Sequence, residues 1–70
     1  MLYSIIPEQA AGQYGINPVL HRVLEDGSVI INENELRKIS SDINTAAEMC
    51  SSELLTDSQV MKRINKDKAL

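Results

Sequence analysis

The stretch Ile31-Asn32-Glu33-Asn34-Glu35-Leu36 constrains this chain more than any other. Asn32 has the short polar side chain that accepts from a free backbone N–H at a helix start, and Glu35 stands where a capping box places its acid. Ile31 and Leu36 flank the cap at the spacing of a hydrophobic staple. Beyond it Leu36, Ile39, Ile43, Ala46 and Cys50 recur at steps of three and four, with Ala47 widening the stripe. This pattern predicts one amphipathic helix from Glu33 to about Ser51. The stripe is too short for a free-standing coiled coil, so the helix is expected to pack on its own domain. Glu33 and Arg37 form a favourably ordered i,i+4 pair, and both early acids suit the positive end of the helix dipole.

Thr56-Asp57-Ser58-Gln59 repeats the signature, with Leu55 and Val60 as the staple. It predicts a last helix from Asp57 to about Lys66, with Val60, Met61 and Ile64 inward. The break between these helices contains neither Gly nor Pro, so one bent helix is the competing reading. Residues 67–70 are expected to fray.

The front half is less regular. Residues 1–6 are apolar and β-prone, and read as an extended arm packed on the body or paired with another chain. Pro7 suits the first position of a short helix, weakened by Gly12 and closed at Gly15. Ile16, Val19, Leu20, Val23 and Leu24 keep helical spacing. With Asn17 as cap, Pro18 as first residue and Gly27 as terminator, they favour a helix over residues 18–26. Asp26-Gly27 is also a two-residue hairpin signal, which stays open as the alternative. Val29-Ile30-Ile31 then reads as a short extended link. The expected fold is mainly α: a single small three- or four-helix domain over residues 1–70 with a short extended N-terminal arm.

Composition bears on how such a domain is held. A chain of 70 residues buries about 60% of the surface its unfolded form exposes. This one has no Trp and no Phe, and its two aromatics are Tyr3 and Tyr14. Its one cysteine, Cys50, excludes an internal disulfide, and its one histidine, His21, argues against a metal cage. Contact with a second copy or a larger partner is the remaining stabiliser, which predicts a homo- or hetero-oligomer. Residues 1–7 lack the basic lead and long apolar run of a signal peptide. No apolar stretch approaches the roughly 20 residues that span a bilayer. The single thiol fits a reducing compartment. These features place the chain in the cytoplasm, or in an assembly formed there, away from the membrane.

The net charge of −3 is uneven. Residues 1–56 carry three basic and eight acidic side chains, and residues 57–70 carry four basic and two acidic ones. An acidic body disfavours nucleic acid, whose affinity comes mostly from phosphate contacts. Lys62, Arg63 and Lys66 form a basic face on the last helix, with Lys68 beyond. No aromatic residue interleaves with them, so a stacking platform for single strands is missing.

Catalytic chemistry has no visible constellation. His21 lacks a nucleophile and an orienting carboxylate at any recognisable spacing. Cys50 falls on an apolar stripe near a helix C-terminus, where the dipole opposes a thiolate, and reads as a buried inert thiol. The pairs Glu25/Asp26 and Glu33/Glu35 lie in no metal or acid–base motif, and the glycines form no phosphate loop. The expectation is a protein without enzymatic activity, cofactor or metal.

One local pattern points elsewhere. Ala10, Ala11, Tyr14, Gly15 and Ile16 read as a first helix and turn. Leu20, Val23, Leu24, Asp26 and Gly27 read as a second helix and its end, and Ile31 to Leu36 lead into a third. Residues 8–36 in this respect resemble the helix-turn-helix unit of excisionase-type regulators, which implies a DNA-binding regulator using residues 8–27. The turn is a residue short, and Glu25 and Asp26 oppose His21 and Arg22 where base and phosphate contacts call for Arg, Lys, Asn or Gln. The reading that best fits the whole chain is a non-enzymatic interaction or assembly module. It docks apolar helix or arm surface onto itself or a larger partner protein. The candidate partner-binding residues are Leu2, Tyr3, Ile5 and Ile6 of the arm and Lys62, Arg63 and Lys66 of the last helix.

Overall fold

Two β-branched runs far apart in the chain find each other. In the computed structural model, which describes residues 1–19 and 23–68 (the side chains of 67 and 68 excepted), Tyr3–Pro7 forms strand β1 and Ser28–Asn32 forms strand β2. They pair antiparallel, with Ser4 opposite Ile31, Ile5 opposite Ile30 and Ile6 opposite Val29. Among the described residues four helices surround the pair: α1 Glu8–Tyr14, α2 Glu33–Leu36, α3 Ile43–Met49 and α4 Asp57–Lys68. The fold is therefore small α+β. The mainly α expectation is corrected: the N-terminal arm is a sheet strand, and the supposed link at Val29–Ile31 is its partner.

Alternation across the strands separates two cores. Ile6, Val29 and Ile31 point to one face and pack with Ala11, Ile16, Leu36, Ala46 and Cys50, beneath α1, α2 and α3. Ile5 and Ile30 point to the other face and pack with Leu24, Tyr3 and Leu55 beneath Val60 and Ile64 of α4. The continuous run Val29-Ile30-Ile31 follows from this. A strand covered on both faces has no polar side to alternate with. Each of these fully buried aliphatic side chains contributes about 1.5–3 kcal/mol.

A third extended segment lines the other edge of β1. The N–H of Tyr3 donates to the Leu55 carbonyl at 2.8 Å, and that of Leu55 donates back to Tyr3 at 2.7 Å. The Ser4 hydroxyl donates to the Glu53 carbonyl at 2.9 Å, and the Ser52 hydroxyl to the Ile5 carbonyl at 3.0 Å. β1 is thus flanked on both sides by its own chain, and Ser4, with no exposed surface, keeps a partner for its buried hydroxyl.

The long helix over residues 33–51 does not form. α2 begins at Asn32, whose Oδ1 accepts from the Glu35 N–H at 2.9 Å, and stops after Leu36. Ile31 and Leu36, the staple residues, are both fully buried in the first core. The chain restarts at Asp42, which caps α3 by accepting from the Asn44 N–H at 3.0 Å and the Thr45 hydroxyl at 3.2 Å. Ser40-Ser41-Asp42 competes for local backbone groups better than it continues a helix, and so breaks the stripe. α3 ends at Met49 with Cys50 as its cap, and Ser51 (φ 54°) turns the chain away, with the Ser52 N–H returning to the Ala47 carbonyl at 2.9 Å. α1 ends at Gly15 (φ 67°), where the sequence places its stop.

The helix expected over residues 18–26 is also corrected. Pro18, Val19 and Val23–Asp26 lie outside any helix, while Leu20, His21 and Arg22 lie outside the described residues. Asp26-Gly27 makes a turn, closed by the Leu24 N–H to the Ser28 carbonyl at 2.7 Å and by the Ser28 N–H to Asp26 Oδ1 at 3.0 Å. Gly27 holds φ 85°, a conformation that favours glycine. The turn feeds β2, whose sheet partner is β1; on the near side of the turn the Val19 N–H also donates to the Ile30 carbonyl at 2.8 Å, and the described residues among 18–26 form no strand.

α4 is present with its capping box complete. The Gln59 N–H donates to Thr56 Oγ1 at 3.3 Å and the Thr56 N–H to Gln59 Oε1 at 2.8 Å. Val60 and Ile64 are buried, but Met61 is 54% exposed, contrary to its expected inward position. The helix runs on to Lys68, two residues past its expected end; residues 69 and 70 of the expected frayed tail lie outside the described residues.

Candidate functional site

α4 crosses the second face of the sheet on a narrow stripe, because only one side of its cylinder is apolar. A helix so seated leaves an opening on each flank. On one flank is an apolar groove of about 260 Å³, lined by Tyr3, Val19 and Ile30 below and by Asp57, Val60, Met61 and Ile64 of α4. Met61 at 54% and Val19 at 37% exposure form its open lips. On the other flank is a wider polar cleft of about 540 Å³, floored by Ile5 and Leu55 and walled by Ser28, Ser51–Glu53, Asp26 and Arg63.

α4 is tied by charge at its middle and at its first residue. Arg63 donates to Asp26 Oδ2 at 2.6 Å across the polar cleft. The Arg63 guanidinium, helped by Ser28, holds the Asp26 carboxyl below the usual carboxylate range. At the first residue of the helix the N-terminal ammonium lies 4.0 Å from Asp57. The Asp57 carboxylate beside Tyr3 holds that phenol above its ordinary value.

The candidate residues from the sequence separate into three groups. Ile6 is fully buried in the first core. Leu2 is half-buried and fastened to α2, its N–H donating to Glu33 Oε1 at 3.0 Å and its carbonyl accepting from the Glu33 N–H at 2.9 Å. Tyr3 reaches the apolar groove and Ile5 the polar cleft. Arg63 is paired with Asp26, whereas Lys62 and Lys66 are exposed and line neither opening. The structure therefore brings Tyr3 together with α4, but not with the basic face. Val19, Ile30, Asp57, Val60, Met61 and Ile64 line the groove without having been candidate residues. Met61 stands one residue past Val60, at the margin of the buried stripe, so its exposure is legible only once the narrowness of that stripe is known.

Cys50 caps α3 and is 7% exposed; burial pushes its thiol up, away from the thiolate a nucleophile needs. Glu35 uses its carboxylate at long range, accepting from the Asn17 N–H at 2.9 Å and pairing with Lys38 at 3.0 Å, and these contacts hold it below its usual range. That bond fastens the α1 loop to α2: the acid expected to complete the capping box at Asn32 is turned to Asn17 and Lys38 instead. Among the described residues, no group of three or more His, Cys, Asp or Glu side chains converges as a metal site. No helix among them is long and apolar enough to cross a membrane. Comparison with protein-family models, curated proteins and solved structures finds no match to this chain.

Proposed function

We propose that this protein is a non-enzymatic interaction or assembly module that docks apolar surface onto a second copy of itself or a larger partner protein. The groove between α4 and the sheet carries the reading. It is apolar, open, and bordered by a half-exposed methionine, whose flexible thioether adapts to different partner side chains. A groove this size accepts one or two aliphatic or aromatic side chains of a partner, the kind of anchor that dominates small interfaces. The Asp57 carboxylate at one end favours a cation beside that anchor. The alternative of a DNA-binding regulator using residues 8–27 has less support, since Pro18, Val19 and Val23–Asp26 are not helical where a recognition helix is required.

Light scattering behind a sizing column, followed by capture of partners from a native extract, tests the reading with wild type and Met61→Glu. A carboxylate at the lip of the groove penalises an apolar anchor without touching either core. The expected result is a mass above 7.8 kDa, or a specifically captured protein, that the substitution abolishes. A monomer whose captured proteins are the same for both chains defeats the reading, as does retention on DNA at moderate salt.

A further inference from the structure

We infer that α4 is a strap, hinged at Thr56 and latched by the Arg63–Asp26 pair, which opens from the sheet while the rest of the fold stays formed. Four observations support it. Among its described side chains the helix holds the second face through two buried ones, Val60 and Ile64, while Met61, Lys62, Asn65 and Lys66 face solvent. Openings flank it on both sides, so neighbouring elements do not clamp it. Its first turn is closed locally by the reciprocal Thr56–Gln59 bonds, whereas the rest of this twelve-residue helix is marginal without the sheet beneath it, so its amides become open to exchange once it lifts. The segment just before it is fastened to β1 through Tyr3, Ser4 and Ile5, which places the pivot between Leu55 and α4.

The ties on α4 are asymmetric. Asp57, beside the pivot, meets the N-terminal ammonium and lies along the groove from Tyr3, neighbours it keeps in a swing about Thr56. Arg63 to Asp26 is the tie away from the pivot, at the middle of the helix. Opening uncovers Ile5, Leu24 and Ile30, which pack beneath the helix. The first core, shared by α1, α2, α3 and the opposite sheet face, is untouched by this motion. The same helix borders the proposed docking groove, but this inference rests on its attachments and is read on the isolated chain. It therefore stands or fails separately from the docking reading.

Native-state amide exchange by NMR on the full chain tests it, with wild type, Asp26→Asn and Arg63→Gln. Asn keeps the acceptor for the Ser28 N–H while removing the charge. In wild type the α4 amides should exchange at least tenfold faster than those of β2, by local opening. Each substitution should raise the α4 rates by about 1.5- to fivefold, the range for an exposed ion pair, and leave the β2 rates unchanged. Equal rates in α4 and β2 that move in step would show that α4 opens only with global unfolding. Unchanged α4 rates in both variants would show that Arg63–Asp26 is no latch. Either result overturns the proposal.

Discussion

Ser51 is the non-glycine residue with positive φ among those described, at 54°. It sits where α3 must turn toward the edge of β1, and the Ser52 N–H to Ala47 carbonyl bond closes that turn. An L-residue in this region carries a penalty of roughly 1–2 kcal/mol, partly offset for glycine by its larger unfolded-state entropy. Ser51→Gly should therefore raise stability, by about 0.5–1 kcal/mol, as a higher urea midpoint with unchanged slope. Glu35 gives a residue-scale prediction of opposite sign. Its folded pKa is depressed, first by the Asn17 N–H and then by Lys38. Its stabilisation is thus fully present above the unfolded glutamate value, about 4.3, and is lost as pH falls through the folded value. Wild type should melt above Glu35→Gln at pH 6, and the gap should close only as pH falls past the ordinary carboxylate range and through the lowered folded value. A constant gap at every pH would show that the carboxylate charge is not what Asn17 and Lys38 hold.

At the scale of elements, the two N-caps separate a continuous helix from a broken one. Asn32 and Asp42 each satisfy backbone N–H groups, of Glu35 and Asn44 respectively. Asn32→Ala and Asp42→Ala should each cost about 1 kcal/mol, seen as a fall of about 4–8 °C in melting temperature. A single helix over residues 33–51 gives a different result, because alanine at position 42 would then lengthen good helix and raise the melt. The cap signals at Asn32 and Thr56 and the stop at Gly15 were legible in sequence, since each depends on a few adjacent residues. The stripe from Leu36 to Cys50 was legible as a buried face, but not its interruption. Ser40-Ser41-Asp42 carried the signal for a second start, and regular apolar spacing masked it. The sheet was hidden for another reason. Tyr3–Ile6 and Val29–Ile31 both have strand composition, yet nothing local chooses their partner. Residues 18–26 kept helical spacing by coincidence: the described positions there answer to pairing with β2, as when the Val19 N–H donates to the Ile30 carbonyl at 2.8 Å. Of the candidate site, Tyr3 was legible as apolar surface, whereas the groove itself exists only once α4 lies across the strands.

For the whole molecule, the decisive fact is that the first residues are the middle of the fold. The radius of gyration is 11.2 Å, close to the roughly 11 Å of a compact chain this long. That compactness is organised around β1. β2 pairs with one edge of it and residues 52–55 with the other, while Ile6 enters the first core and Ile5 the second. An arm that merely rests on a helical body should be removable. Loss of residues 1–6 would then weaken self-association and leave helix content nearly intact. A central strand is not removable. Its loss exposes the inner edge of β2, frees the Ser52–Leu55 segment that positions α4, and strips both cores of an isoleucine. Two strands with helices on each face are near the lower limit of what stays folded, so no remaining unit is large enough to persist alone. Deleting residues 1–6 should abolish the cooperative thermal transition and collapse amide dispersion in the NMR spectrum at any concentration. A deletion variant that keeps its helical circular dichroism and a sharp melt, and loses only association, would show that β1 is an appendage after all.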